Sequence, residues 1–352
     1  MKRWLPALAV SVVLIALLAA ATRLHWSDVA DTLAALHPGD VALAFAVYAA
    51  SFVGRGLRLG VLLPGAGSTA HLASISARHI FLAVVLPFRS GEASLPLMLS
   101  SECGRPLHEG VPVLGLMRVL DLAAVAAWLL VGLLLTGRLG LPAAGAAVGS
   151  MADGAAGGVA AGASATGAAG DMTLRALAVF ALFTGGLLAL PFLARRLVPL
   201  QRSTRKLLAF AGRSAALVAA LSRRQLLLAA LTSLATWAAT YGACFLVLRS
   251  MSGAPAPLGP AAAAIDAASS LVGTTGLHLS AVIPVSPIGG VGTWEAGWTA
   301  GYTFIGMEPA AAATSGIVSH VLVFAFITVL GGAGFLVRGA RRAAAPASAA
   351  PP

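Results

Sequence analysis

The run Leu86-Pro87-Phe88-Arg89-Ser90-Gly91-Glu92 sets an arginine and a glutamate beside a proline and a glycine inside an otherwise apolar stretch. Proline removes one backbone donor and glycine loosens the chain, so a helix break is expected at Pro87 and Gly91. Helix N-termini exposed at such a break attract anions. Arg89 adds a planar fork suited to phosphate, and Glu92 supplies the opposite charge, able to pair with Arg89 or with an amine headgroup. Two readings stay open: a site for ions or headgroups, or an Arg–Glu clamp fastening the segment to its neighbours.

A second break is written at Pro284, Pro287, Gly289, Gly290 and Gly292, followed by Glu295. Its glycines permit close approach of the backbone to a partner helix or ligand. They do not form a dinucleotide-binding fingerprint, because the spacing is wrong and no βαβ context surrounds them. Glu295 is the sole carboxylate between Ile283 and Met307. Proton coupling and an interhelical pair with one of the arginines are both open to it.

A charge at the bilayer centre costs at least ~2.5–3.5 kcal/mol on insertion scales, so such residues usually have partners or functions. Besides those named, the candidates are Arg118, Asp121 and Asp266, with Arg55 and Arg58 near a span end. Arg118 and Asp121 are three residues apart and share a helix face, which predicts a local ion pair. His278 and His320 stand alone on apolar stretches and read as packed polar residues. There is no Ser/His/Asp arrangement, no His-Glu-x-x-His and no Walker loop. Cys103 and Cys244 are far apart and without companions at metal-ligand spacing, so neither a disulfide framework nor a metal site is predicted. No cofactor is implied.

The elements that must hold these residues are membrane helices. Of 352 residues 59% are hydrophobic and only 10% charged, against about 25% charged in soluble domains. Spans of about 20 apolar residues are read at Leu5–Thr22, Val41–Leu63, Val111–Thr136, Leu174–Ala194, Gln225–Leu248 and Ala311–Val337. Two further apolar regions, 72–99 and 261–306, are broken by Pro and Gly and read as re-entrant hairpins. The Leu5–Thr22 run is longer than a signal-peptide core and is taken as an uncleaved first helix. The net charge of +11 is concentrated beside apolar segments, the positive-inside pattern, and not in a basic stripe interleaved with aromatics, so nucleic acid is not an expected partner. Lys2 and Arg3, the basic loop 195–224 and Arg338, Arg341 and Arg342 place both termini in the cytoplasm.

With those sides fixed, each half reads as two spans, a broken hairpin and a third span. Three spans is an odd number, so the halves run in opposite senses. The predicted fold is an all-α polytopic membrane protein with an inverted-topology repeat, the plan of many secondary transporters. The repeats cover 1–136 and 173–338. A Gly/Ala-rich external linker (137–172) joins them and an Ala/Pro tail (339–352) follows. Small residues line nearly every span and suit contacts within or between chains, so the oligomeric state stays open.

Four motifs in order resemble the transmembrane region of lysylphosphatidylglycerol synthases and their stand-alone flippase-like relatives. They are Leu57-Arg58, Leu86-Pro87-Phe88-Arg89-Ser90-Gly91-Glu92, Arg118-Val119-Leu120-Asp121 and Pro287-Ile288-Gly289-Gly290-Val291-Gly292-Thr293-Trp294-Glu295. An arginine common in the family's last span stands here as His320. The resemblance implies a lipid translocator of the bacterial inner membrane, without the aminoacyl-transferase domain of the bifunctional synthases and therefore not an enzyme. Its cargo would be a phospholipid, glycolipid or hopanoid-type lipid. Arg58, Arg89 and Arg118 would meet phosphate, while Glu92, Asp121 and Glu295 balance charge or carry protons. The rival expectation is a non-transporting accessory subunit that recruits a lipid-modifying enzyme through the basic loop.

Overall fold

The computed structural model describes residues 5–138, 206–280 and 288–344; side chains are described within these except at 5–10, 87–89, 206, 207, 288 and 339–344. The span expected at Leu174–Ala194, the linker at 137–172 beyond Arg138, the tail beyond Ala344, and Pro284 and Pro287 lie outside the described residues.

Helices alone are present among the described residues. They are α1 (Leu5–Thr22), α2 (Trp26–Ala34), α3 (Pro38–Leu62), α4 (Thr69–Val85), α5 (Ser94–Cys103), α6 (Leu107–Leu135), α7 (Lys206–Ala220), α8 (Arg223–Arg249), α9 (Leu258–Ala264), α10 (Ala267–Ser280), α11 (Thr293–Phe304) and α12 (Pro309–Ala344). Two 3-10 segments, Pro87–Ala93 and Ile288–Gly290, interrupt the pairs α4/α5 and α10/α11. Helices α3, α6, α8 and α12 are long and apolar enough to cross a membrane; α1 and α2, meeting at 93°, make a fifth span if counted together. Leu57, Leu97, Leu134, Leu135, Leu231 and Leu336 point outward and are exposed. Exposed leucines on helices of this length and hydropathy suit contact with lipid. The protein is a multi-pass membrane protein.

Local signals set the helix ends. Pro38 and Asp40 open α3, where proline loses no needed donor and the acid meets the positive helix end. Ser222 and Gln225 form a reciprocal capping box that starts α8, leaving fewer orphan backbone donors. That box ends a segment read as part of a basic loop. Residues 206–220 are instead helix α7, packed on α6. Small and apolar residues such as Ala209, Ala215 and Val218 give α7 a face to bury, and that pattern outweighs the arginines around it.

Packing follows a paired plan. Helices α3 and α8 lie against one another antiparallel, as Val61–Gln225, Arg58–Ser233 and Asp40–Arg249 contacts show in order along both. Helix α4 of the first broken hairpin packs on α12, and α10 of the second packs on α6. The two 3-10 breaks touch each other.

Each hairpin closes on close backbone approach. A Cβ at Gly91 would stand 2.1 Å from the Leu82 carbonyl oxygen, so only glycine lets the chain turn back along α4. In the second hairpin a Cβ at Gly301 would meet the Gly273 carbonyl at 2.0 Å, and one at Gly276 the Gly297 carbonyl at 2.4 Å. Small residues drive helix association in lipid because the apolar effect is absent there and tight packing must substitute for it. Gly301→Ala should therefore force α10 and α11 apart and lower the yield of monodisperse protein in size-exclusion chromatography. Gly115→Ala in α6, where nothing lies within 4 Å of the added methyl, should leave the elution profile unchanged and raise the melting temperature, since alanine favours helix by about 1 kcal/mol.

Candidate functional site

Helices α3, α6 and α8 and the first break converge on a charged cluster. Arg58, fully buried on α3, donates from Nη1 to Asp121 Oδ1 at 2.5 Å and to Ser233 Oγ at 2.9 Å. The same Asp121 oxygen accepts from Trp237 Nε1 at 2.9 Å. One buried carboxylate of α6 thus binds α3 and α8 together. Arg118, one turn earlier on α6, donates from Nη2 to both oxygens of Glu92 at 2.6 Å. Its contact with Asp121 is longer, 3.6 Å. The expected local pair is therefore secondary, because Glu92 on the break offers both oxygens to the same nitrogen.

His79 on α4 stands beside this pair, Nε2 at 3.8 Å from Glu92 and Nδ1 at 2.9 Å from Ser94 Oγ. A narrow cleft runs between Arg55, Ser76, His79, Arg118 and Asp121. The room in it for a water centre is about 10 Å³, about enough for one molecule. A larger cavity of about 300 Å³ lies apart, lined by Arg23, Asp28, Asp31 and Glu308 among others, and holds none of the residues singled out in the sequence.

The guanidiniums of this cluster are not saturated. Arg55 Nε and Arg58 Nε and Nη2 are buried and have no hydrogen-bond partner. Arg55 has its guanidinium 5.7 Å from the centre of the Phe52 ring. Among the described side chains, three arginines, Arg55, Arg58 and Arg118, face two carboxylates, Asp121 and Glu92. Buried donors left unpaired are costly, and an excess of cation beside a cleft attracts an anion.

The second break holds a separate constellation. Glu295 on α11 accepts from the Gly292 N–H through Oε2 at 2.6 Å and faces His320 Nδ1 through Oε1 at 2.7 Å. His320 on α12 reaches the Gly289 carbonyl through Nε2 at 3.0 Å, and the Trp294 ring stacks on it at 4.9 Å. Both Glu295 and His320 are buried. Gly289, Gly290 and Gly292 have φ of 69°, 75° and 94°, a region that glycine enters without penalty. Helix α1 covers this turn, with Leu14 so close that a Cβ on Gly292 would meet it at 2.4 Å.

Of the residues singled out from the sequence, Arg58, Glu92, Arg118 and Asp121 come together in one cluster. Glu295 sits at the other break and finds His320 in place of an arginine. The Arg89 side chain lies outside the described ones, although its backbone is part of the first break. Asp266 caps α10 from an exposed turn, accepting the Ser269 N–H at 2.6 Å, a bond that lowers its pKa below the ordinary aspartate value. His278 packs edge-on against Trp237 and Tyr241.

Sequence reasoning passed over a third cluster. Arg78 of α4, fully buried, donates from Nη1 and Nη2 to Glu102 of α5 at 2.8 and 2.7 Å, and Arg338 of α12 approaches the same carboxylate at 3.1 Å. This triad ties the first hairpin to the last helix. Its signal was present: Arg78 and His79 are the charged or titratable residues of an apolar helical run from Leu72 to Val85.

A model of the family described as the lysylphosphatidylglycerol synthase TM region matches residues 4–331. No curated protein matches the chain.

The pairs differ in depth, and so should their substitution costs. Asp121→Asn strips the counter-charge from a fully buried Arg58 and should lower unfolding stability by roughly 3–5 kcal/mol. Glu92 and Arg118 are 26% and 41% exposed, so solvent screens them, and Glu92→Gln should cost within ~1 kcal/mol. Denaturant titration of both variants in detergent checks the ordering.

Proposed function

Because the chain belongs to the lysylphosphatidylglycerol synthase transmembrane-region family, we propose that it translocates a lipid across the bacterial inner membrane. The headgroup passes the cleft lined by Arg55, His79, Arg118 and Asp121, beside the first break, while the tail stays in the bilayer. The observation that carries this reading is the unsatisfied cationic cluster at the cleft, with buried donors of Arg55 and Arg58 left free. A phosphate-bearing headgroup would take up those donors and supply the missing negative charge. Glu92, paired with a half-exposed Arg118, can give up that partner to an amine or return to it, which makes the Arg118–Glu92 contact the exchangeable one. The Arg58–Asp121 pair is the fixed one, since it bridges three helices.

Further support comes from the pattern of contacts. Taking α3, α4, α5 and α6 as equivalents of α8, α10, α11 and α12, the major pairings among these eight helices have counterparts. The pairs α4–α12 and α10–α6 exchange, as do α5–α6 and α11–α12, and α3–α8 maps onto itself in antiparallel sense. Such exchange is what an inverted repeat with six spans and two re-entrant hairpins would produce. The narrow cleft fits one closed state of an alternating-access cycle, in which one repeat rocks against the other. The basic residues Lys2, Arg3, Arg338, Arg341 and Arg342 support a cytoplasmic location for both termini.

Reconstituted vesicles of phosphatidylcholine and phosphatidylglycerol carrying a fluorescent phosphatidylglycerol test the reading. Dithionite should bleach the inner-leaflet label only when the protein is present. Arg118→Gln and Glu92→Gln should slow that bleaching about ten- to hundredfold, the worth of a charge-assisted hydrogen bond. Undiminished bleaching in both variants would remove the cluster from the path. Absence of protein-dependent bleaching with this and with an aminoacylated label favours the accessory-subunit reading.

A further inference from the structure

The hydrogen-bond stereochemistry at the second break determines how many protons it holds. The Gly289 carbonyl can only accept, so His320 Nε2 must carry a hydrogen. The facing atoms, His320 Nδ1 and Glu295 Oε1, are 2.7 Å apart. At that separation one hydrogen must lie between them, because two lone pairs would repel. The pair is therefore either imidazolium with carboxylate or neutral imidazole with carboxylic acid. Either way it holds one proton more than separate neutral histidine and glutamate anion.

We propose that Glu295 and His320 form a proton-binding site that locks the second hairpin shut, and that the lock opens when this proton leaves. The proton departs from between Nδ1 and Oε1 to water and leaves a carboxylate and an Nε2-protonated ring. No hydrogen then joins the two groups, and burial of the free carboxylate becomes costly. The same carboxylate holds the Gly292 N–H and the same ring holds the Gly289 carbonyl, so both ends of the glycine turn lose their anchor together. The three glycines with positive φ supply a turn that can change shape at little steric cost. Trp294, stacked face-on over the ring, favours the charged imidazolium of the locked state.

No other described group facing this pair can hold its place. Helix α1, which covers the turn, has no titratable side chain. On α4, Arg78 is bound to Glu102 and His79 to Ser94, with Glu92 near its other nitrogen. Of the first break, the described titratable side chain is Glu92, held by Arg118. Helix α11 carries Glu295 as its one acid. On α12 the nearest arginine, Arg338, lies five turns beyond His320 and is bound to Glu102. Helix α10 presents His278, packed between Trp237 and Tyr241.

Coupling of this proton to transport rests on the translocator reading, but the lock does not, and its test uses no lipid cargo. Hydrogen–deuterium exchange of the full chain in nanodiscs of phosphatidylcholine and phosphatidylglycerol reports the opening of peptides covering 288–296. After correction for intrinsic exchange, the ratio of open to closed turn in the wild type should rise about tenfold per pH unit until the turn is largely open, the slope of one proton. Peptides from α3 and α8 should stay flat and serve as the folding control. Glu295→Gln keeps both hydrogen bonds without a titratable proton, its amide donating to Nδ1 and its oxygen accepting from Gly292. His320→Gln removes the ring. Loss of the slope in both variants supports the lock. A flat wild-type profile overturns it without reference to any variant, and a slope that survives either substitution assigns the proton elsewhere and overturns it too.

Discussion

A charge withdrawn from water into a bilayer must be met by an opposite charge or a dense set of hydrogen bonds, and that requirement decides which helices of this protein stand side by side. Arg58 and Asp121 fasten α3 to α6, and Ser233 and Trp237 bring α8 to the same point. Arg78, Glu102 and Arg338 fasten the first hairpin to α12. Arg118 holds the first break against α6, and His320 holds the second break against α12. Every one of these contacts crosses between elements. The apolar surfaces alone could not specify this arrangement, since lipid tails solvate leucine as well as another helix does.

The same requirement applies to the backbone. A break at membrane depth frees N–H and C=O groups that lipid cannot satisfy. At the second break the answer is side-chain capture: Glu295 takes the Gly292 amide, His320 the Gly289 carbonyl, and Thr293 the Gly290 carbonyl. At the first, a seven-residue 3-10 segment keeps local bonds and lies against α4 through Gly91. The polar residues near the breaks thus serve two ends at once, satisfying the backbone and placing ionisable groups where the hairpins meet.

Much of this was written in local sequence. The runs read as spans at Leu5–Thr22, Val41–Leu63, Val111–Thr136, Gln225–Leu248 and Ala311–Val337 correspond to α1, α3, α6, α8 and α12 within a few residues, apart from the longer end of α12, because apolar length is a one-dimensional property. The first break falls at Pro87 and Gly91 for the same reason. Partner choice was not legible. Arg118 and Asp121 share a helix face, yet the stronger contact runs to Glu92, 26 residues away, because folding brings a second carboxylate closer than the helix geometry does. Glu295 and His320 are 25 residues apart, and nothing in either neighbourhood announces the other. The Arg78–Glu102 pair is not legible in the sequence because hydropathy averages absorb one charge in an apolar run. Helix α7 is obscured for the opposite reason, since the arginines around it mark a loop more strongly than its small, apolar face marks a helix.

Rigidity and freedom are divided unequally between the hairpins. Close backbone contacts at Gly273, Gly276, Gly297 and Gly301 bind α10 and α11 along their length, so the two arms must move as one body. Packed interfaces of this kind tend to switch between discrete arrangements instead of deforming smoothly. The compliant positions are then left at the ends, at the glycine turn Gly289–Gly292 and at the α9/α10 junction capped by Asp266. Because the two breaks touch, a shift of the second hairpin must disturb the first, where the half-exposed Arg118–Glu92 pair is the contact least expensive to break. The buried Arg58–Asp121 pair, fastened to three helices, gives that motion a fixed frame to work against.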